Sequence, residues 1–322
     1  MADNFILKKR ESKNTAQRIK RLLFHPRIVL REILRRVSKY ITNDRLYLKL
    51  VWWCEQRCYL NLNNPTSFQE KLQWLKLFNR KPVHTDLVDK HKVKQIVTNI
   101  IGEEYIIPTI GIWASFEEID FNSLPQKFVL KCTHDSGGLV ICRNKNDLDV
   151  DLVKKKIDRC LKRKYFYENR EWPYKNVKPM IIAEKYLEEA EGKDLNDYKF
   201  YCFNGKAEYC QVISGRTTNE TIDFYDTEWY HQPFFGLNPI ARNNPIARNN
   251  PPQNYKLMVN LASTLAGISE SPFVRVDFYN VEGKIYFGEI TYFPAGGFGT
   301  FTPKEWNLKL GAKITLSNDK NC

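Results

Sequence analysis

The sequence predicts an α+β protein, and three observations carry that prediction. Thr66-Ser67 followed by Gln69-Glu70 is a helix-capping signature ahead of the amphipathic run Leu72, Trp74, Leu75, Leu77, Phe78. Asn204-Gly205 joins two strand-like runs, 197 to 203 and 206 to 212, and is the strongest short-range turn signal in the chain. Phe273 to Gly297 reads as two short strands around the turn Val281-Glu282-Gly283-Lys284.

Length and composition set the frame for these elements. At 322 residues and 43% apolar content the chain can form two or three lobes around a substantial core. Its eight cysteines form no C-x-x-C pair and no Cys/His zinc ladder, and its charged start lacks the apolar segment of a signal peptide. A reduced cytoplasm is therefore expected. No apolar run approaches the roughly 18 residues of a membrane span. Net charge is +13, and the first 50 residues hold a large share of it in KKR, RIKR and REILRR. We read 1–43 as a basic helical N-terminal arm, where Leu22, Leu23, Ile28, Val29, Leu30, Ile33, Leu34 and Val37 recur near helical spacing around the Pro26 break. Two readings stand for it: a peripheral helix on a membrane surface, or a helix packed on the main body. Nucleic acid is not expected, because no RNP, zinc-finger or helix-turn-helix pattern accompanies the charge.

Along the chain, 43 to 78 is helical in character, with Cys54 and Cys58 read as core residues beside Trp52 and Trp53, and a further helix is expected from Asp86 to Val97. Tyr105 to Trp113 reads as strand and turn, and Phe116 to Ile119 as a short helix. Lys127 to Cys132 and Leu139 to Cys142 are strands around the tip Thr133-His134-Asp135-Ser136-Gly137-Gly138. Paired glycines let backbone N–H groups approach phosphate oxygens, although a plain tight hairpin explains the same residues. Asp151 to Tyr165 is a basic amphipathic helix, and Pro179 to Leu187 a strand ending in acids. The stretch 213–254 reads as a variable loop, with NPIARN duplicated at 238 to 243 and 244 to 249. A helix from Leu257 to Ala266 precedes the last hairpin, and 301 to 316 closes the chain.

Asp277 and Glu289 lie on opposite strands of that hairpin, each flanked by apolar residues, so pairing brings two carboxylates close together on a largely buried surface. Such a pair is costly unless something positive neutralises it. Hard oxygen ligands there suit Mg²⁺, which binds through one or two carboxylates and substrate phosphate oxygens; an ordinary hairpin with solvated acids is the alternative.

The order of these parts resembles the ATP-grasp superfamily. More narrowly, the chain is similar to the TupA-like ATP-grasp family found with bacterial cell-surface polysaccharide genes. The motifs are N-P-T-S-F-Q-E-K-L-Q-W-L (64 to 75), K-F-V-L-K-C-T-H-D-S-G-G (127 to 138), E-W-P-Y-K-N (171 to 176), D-Y-K-F-Y-C-F-N-G-K (197 to 206), and V-R-V-D-F-Y (274 to 279) with F-G-E-I-T (287 to 291). The resemblance runs from about Asp44 to Leu316.

It implies an ATP-grasp fold, two α+β lobes gripping ATP, arranged as 44–125 leading into the grasp, 126–212 as the nucleotide-binding lobe and 213–322 as the metal-binding lobe. Carried over position by position, Lys131 contacts the α and β phosphates, and Ser136, Gly137 and Gly138 close over them. Glu184, Lys185, Tyr186 and Leu187 present backbone to adenine, with Glu188 or Glu189 near the ribose. Asp277 and Glu289 are magnesium ligands, and Arg275 lies beside the transferring phosphate. Thr291 stands where the superfamily usually has Asn, a weaker ligand through a neutral hydroxyl. Lys199 and Arg216 are candidates for phosphate or acidic-substrate contacts, or solvated surface cations. The implied cofactors are ATP and Mg²⁺. The implied activity is that of a cytoplasmic carboxylate-amine ligase working through an acyl phosphate, amidating a uronic acid of a cell-surface polysaccharide or its precursor. Phosphoryl transfer to a glycan and non-catalytic glycan binding are the alternatives. No covalent nucleophile is required, so Cys132 and His134 need no catalytic role.

Overall fold

The computed structural model describes residues 26–189, 194–216, 218–237 and 250–317. Residues 1–25 of the basic arm and the duplicated NPIARN stretch lie outside the described residues. By contact the chain forms two compact units, Met1–Asn61 with Thr109–Tyr186, and Leu62–Pro108 with Leu187–Cys322.

The first unit is built on a four-stranded antiparallel sheet in the order β1-β4-β2-β3, where β1 is Thr109–Trp113, β2 Phe128–Cys132, β3 Leu139–Cys142 and β4 Ile181–Lys185. Strict alternation in β2 sends Phe128, Leu130 and Cys132 to one face. There they join Val140, Cys142, Ile181 and Ala183 and pack against Val153 and Ile157 of helix Val150–Leu161. That helix stops short of the expected Tyr165, because the chain turns after Leu161 and starts again at Phe166–Asn169. Strand β4 is likewise shorter than 179 to 187. Helix Pro26–Val37 lies on helix Asp44–Gln56, with Arg31 paired to Glu55 at 3.0 Å. The fully buried Arg170 holds this region to the body. It pairs with Asp44 at 2.7 Å, donates to the Ser38 and Ile41 carbonyls at 2.7 Å each, and covers the Tyr47 ring at 4.0 Å. Helix Asp44–Gln56 ends at Arg57, which adopts a left-handed conformation with φ 61°. Cys54 is therefore core as expected, whereas Cys58 falls beyond the helix and is exposed.

The second unit is built on a five-stranded antiparallel sheet in the order β10-β9-β5-β6-β7, with β5 Asp197–Phe203, β6 Lys206–Ser214, β7 Thr221–Asp226, β9 Phe273–Val281 and β10 Lys284–Thr291. A small pair, β8 (Phe235–Gly236) and β11 (Phe301–Thr302), completes it. The stretch read as a loop, 213–254, thus contains β7 and β8, because T-I-D-F-Y-D adds an edge strand to the Asn204-Gly205 hairpin. Helix Tyr255–Gly267 covers one sheet face, stacking Tyr255 on Phe200. On the other face, Phe68 of helix Phe68–Phe78 packs edge-on against Phe273 and Phe301 at 4.8 and 5.4 Å. Ser67 and Glu70 form the expected capping box of that helix. The single helix expected from Asp86 to Val97 is two, Pro82–Val88 and Lys92–Ile101. Asp89 causes the break: its side chain accepts from the His91 and Lys92 N–H groups at 2.9 and 3.3 Å, offering the backbone a turn in place of helix.

Candidate functional site

In the first unit, the face of the sheet opposite the core carries Lys131. Its register opposite Leu139 and Ile182, and that of Val129 opposite Ile141 and Glu184, put all six side chains on one surface. Leu139 and Ile141 remain 41% exposed. Lys131 Nζ meets Glu184 Oε2 at 2.5 Å, the lysine partly exposed and the carboxylate buried. The result is an apolar surface with one ion pair set in it. Glu184 thus brings a side chain to the site as well as the backbone expected of it. Beyond it, Lys185 is exposed, and Tyr186, Leu187 and Glu189 are half-buried, with the Tyr186 hydroxyl accepting from Arg143 Nε at 3.2 Å.

The tip between β2 and β3 is anchored on its entry side. Thr133 Oγ1 donates to the Lys178 carbonyl and accepts from the Met180 N–H, each at 3.1 Å. His134 Nε2 lies 3.0 Å from the Arg163 carbonyl, and Thr133, His134 and Asp135 are all buried. His134 is thus packed into the body at the entry to the tip. Asp135 Oδ1 accepts from the Gly138 N–H at 3.1 Å, and a Cβ on Gly138 would stand 3.0 Å from Cys132, so Gly138 closes the turn inward while Ser136 and Gly137 are exposed. Arg163, which the sequence reading did not single out, stands beside the tip: a Cβ on Gly137 would lie 3.2 Å from its Nη1. Glu168 grips the same guanidinium through two bonds of 2.6 and 2.7 Å, and this carboxylate raises the Arg163 pKa against the effect of burial.

In the second unit, β5, β9 and β10 assemble a row of charges. Lys199 is in register with Asp277, Asp277 with Glu289, and Arg275 with Thr291. A regular two-residue hairpin would place Glu289 opposite Val276 and send it to the other face. A register shift at Gly288 restores it to the Asp277 side. Arg275 Nε and Nη2 each bind Asp277 at 2.7 Å, and Nη2 also reaches Glu289 at 3.2 Å and Thr291 Oγ1 at 3.1 Å. Lys199 donates to Asp277 and lies 3.5 Å from Asp197, which in turn accepts from Arg216. Burial works to raise the Asp277 pKa, but Arg275 and then Lys199 outweigh it and hold the carboxyl below its ordinary value. The same contacts raise the Arg275 pKa against its own desolvation.

The positive charge that the carboxylate pair requires is thus supplied by the protein itself. Asp277 is buried as expected, but Glu289 is half-exposed, with a side chain 41% accessible. Lys199 is buried in the row, whereas Arg216 reaches it through Asp197 and remains an exposed cation. The pair still fits a hard cation. Among the described residues no three His, Cys, Asp or Glu side chains gather as metal ligands. Two carboxylates in register and the Thr291 hydroxyl nevertheless suit an ion that takes its remaining oxygens from substrate phosphates. Lys76 and Gln73, also not singled out, hold the turn that follows β10: Lys76 Nζ donates to the Gly296 carbonyl and Gln73 Nε2 to that of Gly297, at 2.6 Å each. The signal was present, because Gln69, Gln73 and Lys76 form a polar stripe at i, i+4, i+7 on the buried face of a capped helix.

The profile of one family, TupA-like ATPgrasp, matches residues 70–315. The chain belongs to the TupA-like ATP-grasp family. No curated protein matches it. Among solved structures it is similar to D-alanine–D-alanine ligase from Bacillus anthracis complexed with ATP, with 18% identity, 65% of this chain and 55% of that one covered, and a TM-score of 0.38. The D-alanine–D-alanine ligase from Helicobacter pylori gives 11%, 71%, 61% and 0.37, and an L-amino acid ligase from Bacillus licheniformis 12%, 84%, 56% and 0.39. The chain spans less than two thirds of the length of each. Within the TupA-like match, the motif residues fall into two clusters, Lys131 with Glu184 and the tip in one unit, and Lys199, Arg275, Asp277, Glu289 and Thr291 in the other.

Proposed function

We propose that the chain is an ATP-dependent carboxylate-amine ligase. The observation that carries this reading is the row Lys199–Asp277–Arg275–Glu289, held in register on a buried sheet face, in a chain whose family grips ATP. The apolar surface around Lys131 suits the flat face of adenine, with the backbone of Glu184 to Leu187 at its edge and Glu188 or Glu189 toward the ribose. Lys131 and the exposed Ser136-Gly137 part of the tip serve the phosphates, while Gly138 shapes the turn. Asp277, Glu289 and Thr291 hold magnesium, which when bound offsets phosphate charge. Arg275, released from the carboxylates it spans, orients the transferring phosphoryl group, and Lys199 and Arg216 meet the acidic substrate. The chemistry activates a carboxylate as an acyl phosphate and passes it to an amine. The substrate class is the one the family resemblance implies, a uronic acid of a cell-surface polysaccharide or its precursor modified on the cytoplasmic side, and the net charge of +13 suits an anionic acceptor of that kind.

The test is ATP turnover with panels of uronic acids and amino acids, followed by mass spectrometry of the product. An amide with ADP and free phosphate is expected. A phosphorylated acceptor would make the protein a phosphotransferase, and a folded chain that neither binds nor turns over Mg·ATP would overturn the reading.

A further inference from the structure

Helix Asp44–Gln56 buries Tyr47, Leu48, Val51, Trp52 and Cys54, and with these it is already seated on its own unit. Its opposite side is not polar. Leu46, Leu50 and Trp53 are 50%, 37% and 44% exposed and recur at i, i+4, i+7, one continuous stripe. Arg45 and Lys49 flank the stripe, and Arg57 stands at its end. Of the two acids of the helix, Asp44 is paired with Arg170 at 2.7 Å and Glu55 with Arg31 at 3.0 Å. Tyr59, 93% exposed, follows directly.

We propose that this face of helix Asp44–Gln56 docks the protein on an anionic lipid surface. Aliphatic side chains, an indole and a phenol bordered by lysine and arginine are the pattern of an interfacial helix, in which shallow apolar insertion and attraction to headgroups act together. A nucleic acid backbone would engage the cations and leave Leu46 and Leu50 without a role. A protein partner, which the same tryptophan, tyrosine and arginine would also suit, is an outcome that the test separates. The docking element thus lies in residues 44–59 and not only in the 1–40 segment to which the sequence pointed. The inference does not rest on the ligase reading, but it does set the active chain where a lipid-linked acceptor would be held.

The test is co-sedimentation of the full chain with neutral phosphatidylcholine vesicles and with vesicles containing phosphatidylglycerol, over a salt series. Binding to the anionic vesicles is expected, falling as salt rises, with a blue shift of tryptophan emission. Leu50→Gln/Trp53→Gln should weaken binding at least tenfold, and Arg45→Gln/Lys49→Gln should lower it and flatten the salt dependence. Both variants should remain folded, with circular dichroism and a cooperative melt as the check, since each replaced side chain is at least partly exposed. Nucleotide binding, measured in the same samples, separates this test from the ligase reading. Equal binding to neutral vesicles, undiminished binding by the Leu50/Trp53 variant, no vesicle binding by the full chain, or a concentration-dependent dimer that the variant abolishes would each overturn the proposal, the last by showing a second copy on this face.

Discussion

Lys131 and Arg275 are the cations that the proposed function places at phosphate on two sheets, and the protein treats their charge differently. Lys131 meets Glu184 and stays partly open to solvent. Arg275 is buried and spans Asp277, Glu289 and Thr291, with Lys199 backing Asp277 from the neighbouring strand. A phosphate arriving at Lys131 adds an anion to a cation with room for one. A metal arriving at Asp277 must take a carboxylate that two cations already hold. On the proposed ligase reading, the first region would receive a ligand and the second would exchange partners for one. The two carboxylates of the second region therefore do not strain the ligand-free protein by mutual repulsion.

The largest effect should come from breaking the second region. Asp277→Asn leaves Arg275 and Lys199 buried against a neutral amide, and removing one partner from a buried charge cluster costs about 3–5 kcal/mol. Turnover should fall by orders of magnitude as well. Denaturant unfolding at neutral pH checks the first claim. A variant as stable as the parent would erase the difference between the two regions.

The corresponding change in the first region should separate binding from stability. Lys131→Ala should weaken nucleotide affinity by about 2–4 kcal/mol, the range for a cation aimed at developing phosphate charge in a dry site. Its stability cost should be about 1–3 kcal/mol, below that of Asp277→Asn, because Lys131 is partly exposed although its loss leaves the Glu184 carboxylate buried. Calorimetric titration and denaturation of one sample give both numbers. Unchanged affinity in a folded variant would remove Lys131 from the site.

This contrast was only half legible in the sequence. The strands were, because alternation and the turns Asn204-Gly205 and Glu282-Gly283, all four residues at positive φ, fix hairpins locally. The capped helix was legible for the same reason. The charge row was not, since Lys199 and Asp277 are 78 positions apart and meet only through sheet order. Nor was the register shift at Gly288, without which Glu289 would face away from Asp277. Local competition hid the rest. Asp89 splits a run that looks periodic throughout, Arg57 ends a helix before Cys58, and β7 sits between turn-rich segments that masked its six residues.

The smallest effect concerns a titratable group that the second unit buries without charge. His84 packs on Tyr292, next to Thr291, with ring centroids 4.3 Å apart. Burial pushes its pKa from 6.5 down to about 4, outweighing backbone hydrogen bonds at Ser269 and Glu270. As pH falls below 6.5 the unfolded chain takes up a proton that the folded one refuses until about 4, so stability should decline across that window by about 3 kcal/mol at most. Asp277 acts lower on the scale. Its carboxyl is held below the ordinary value, so its contribution is intact above the usual carboxylate pKa and is lost only as pH falls through the depressed one. Acid unfolding of this unit should therefore show two steps of different origin, and His84→Gln should remove the upper one while leaving the lower. Denaturant stability of parent and variant at pH 7, 5 and 4 measures the difference. If the variant loses as much stability between pH 7 and 4 as the parent, the upper step does not belong to His84, and since Asp277 stays charged throughout that window another group must carry it.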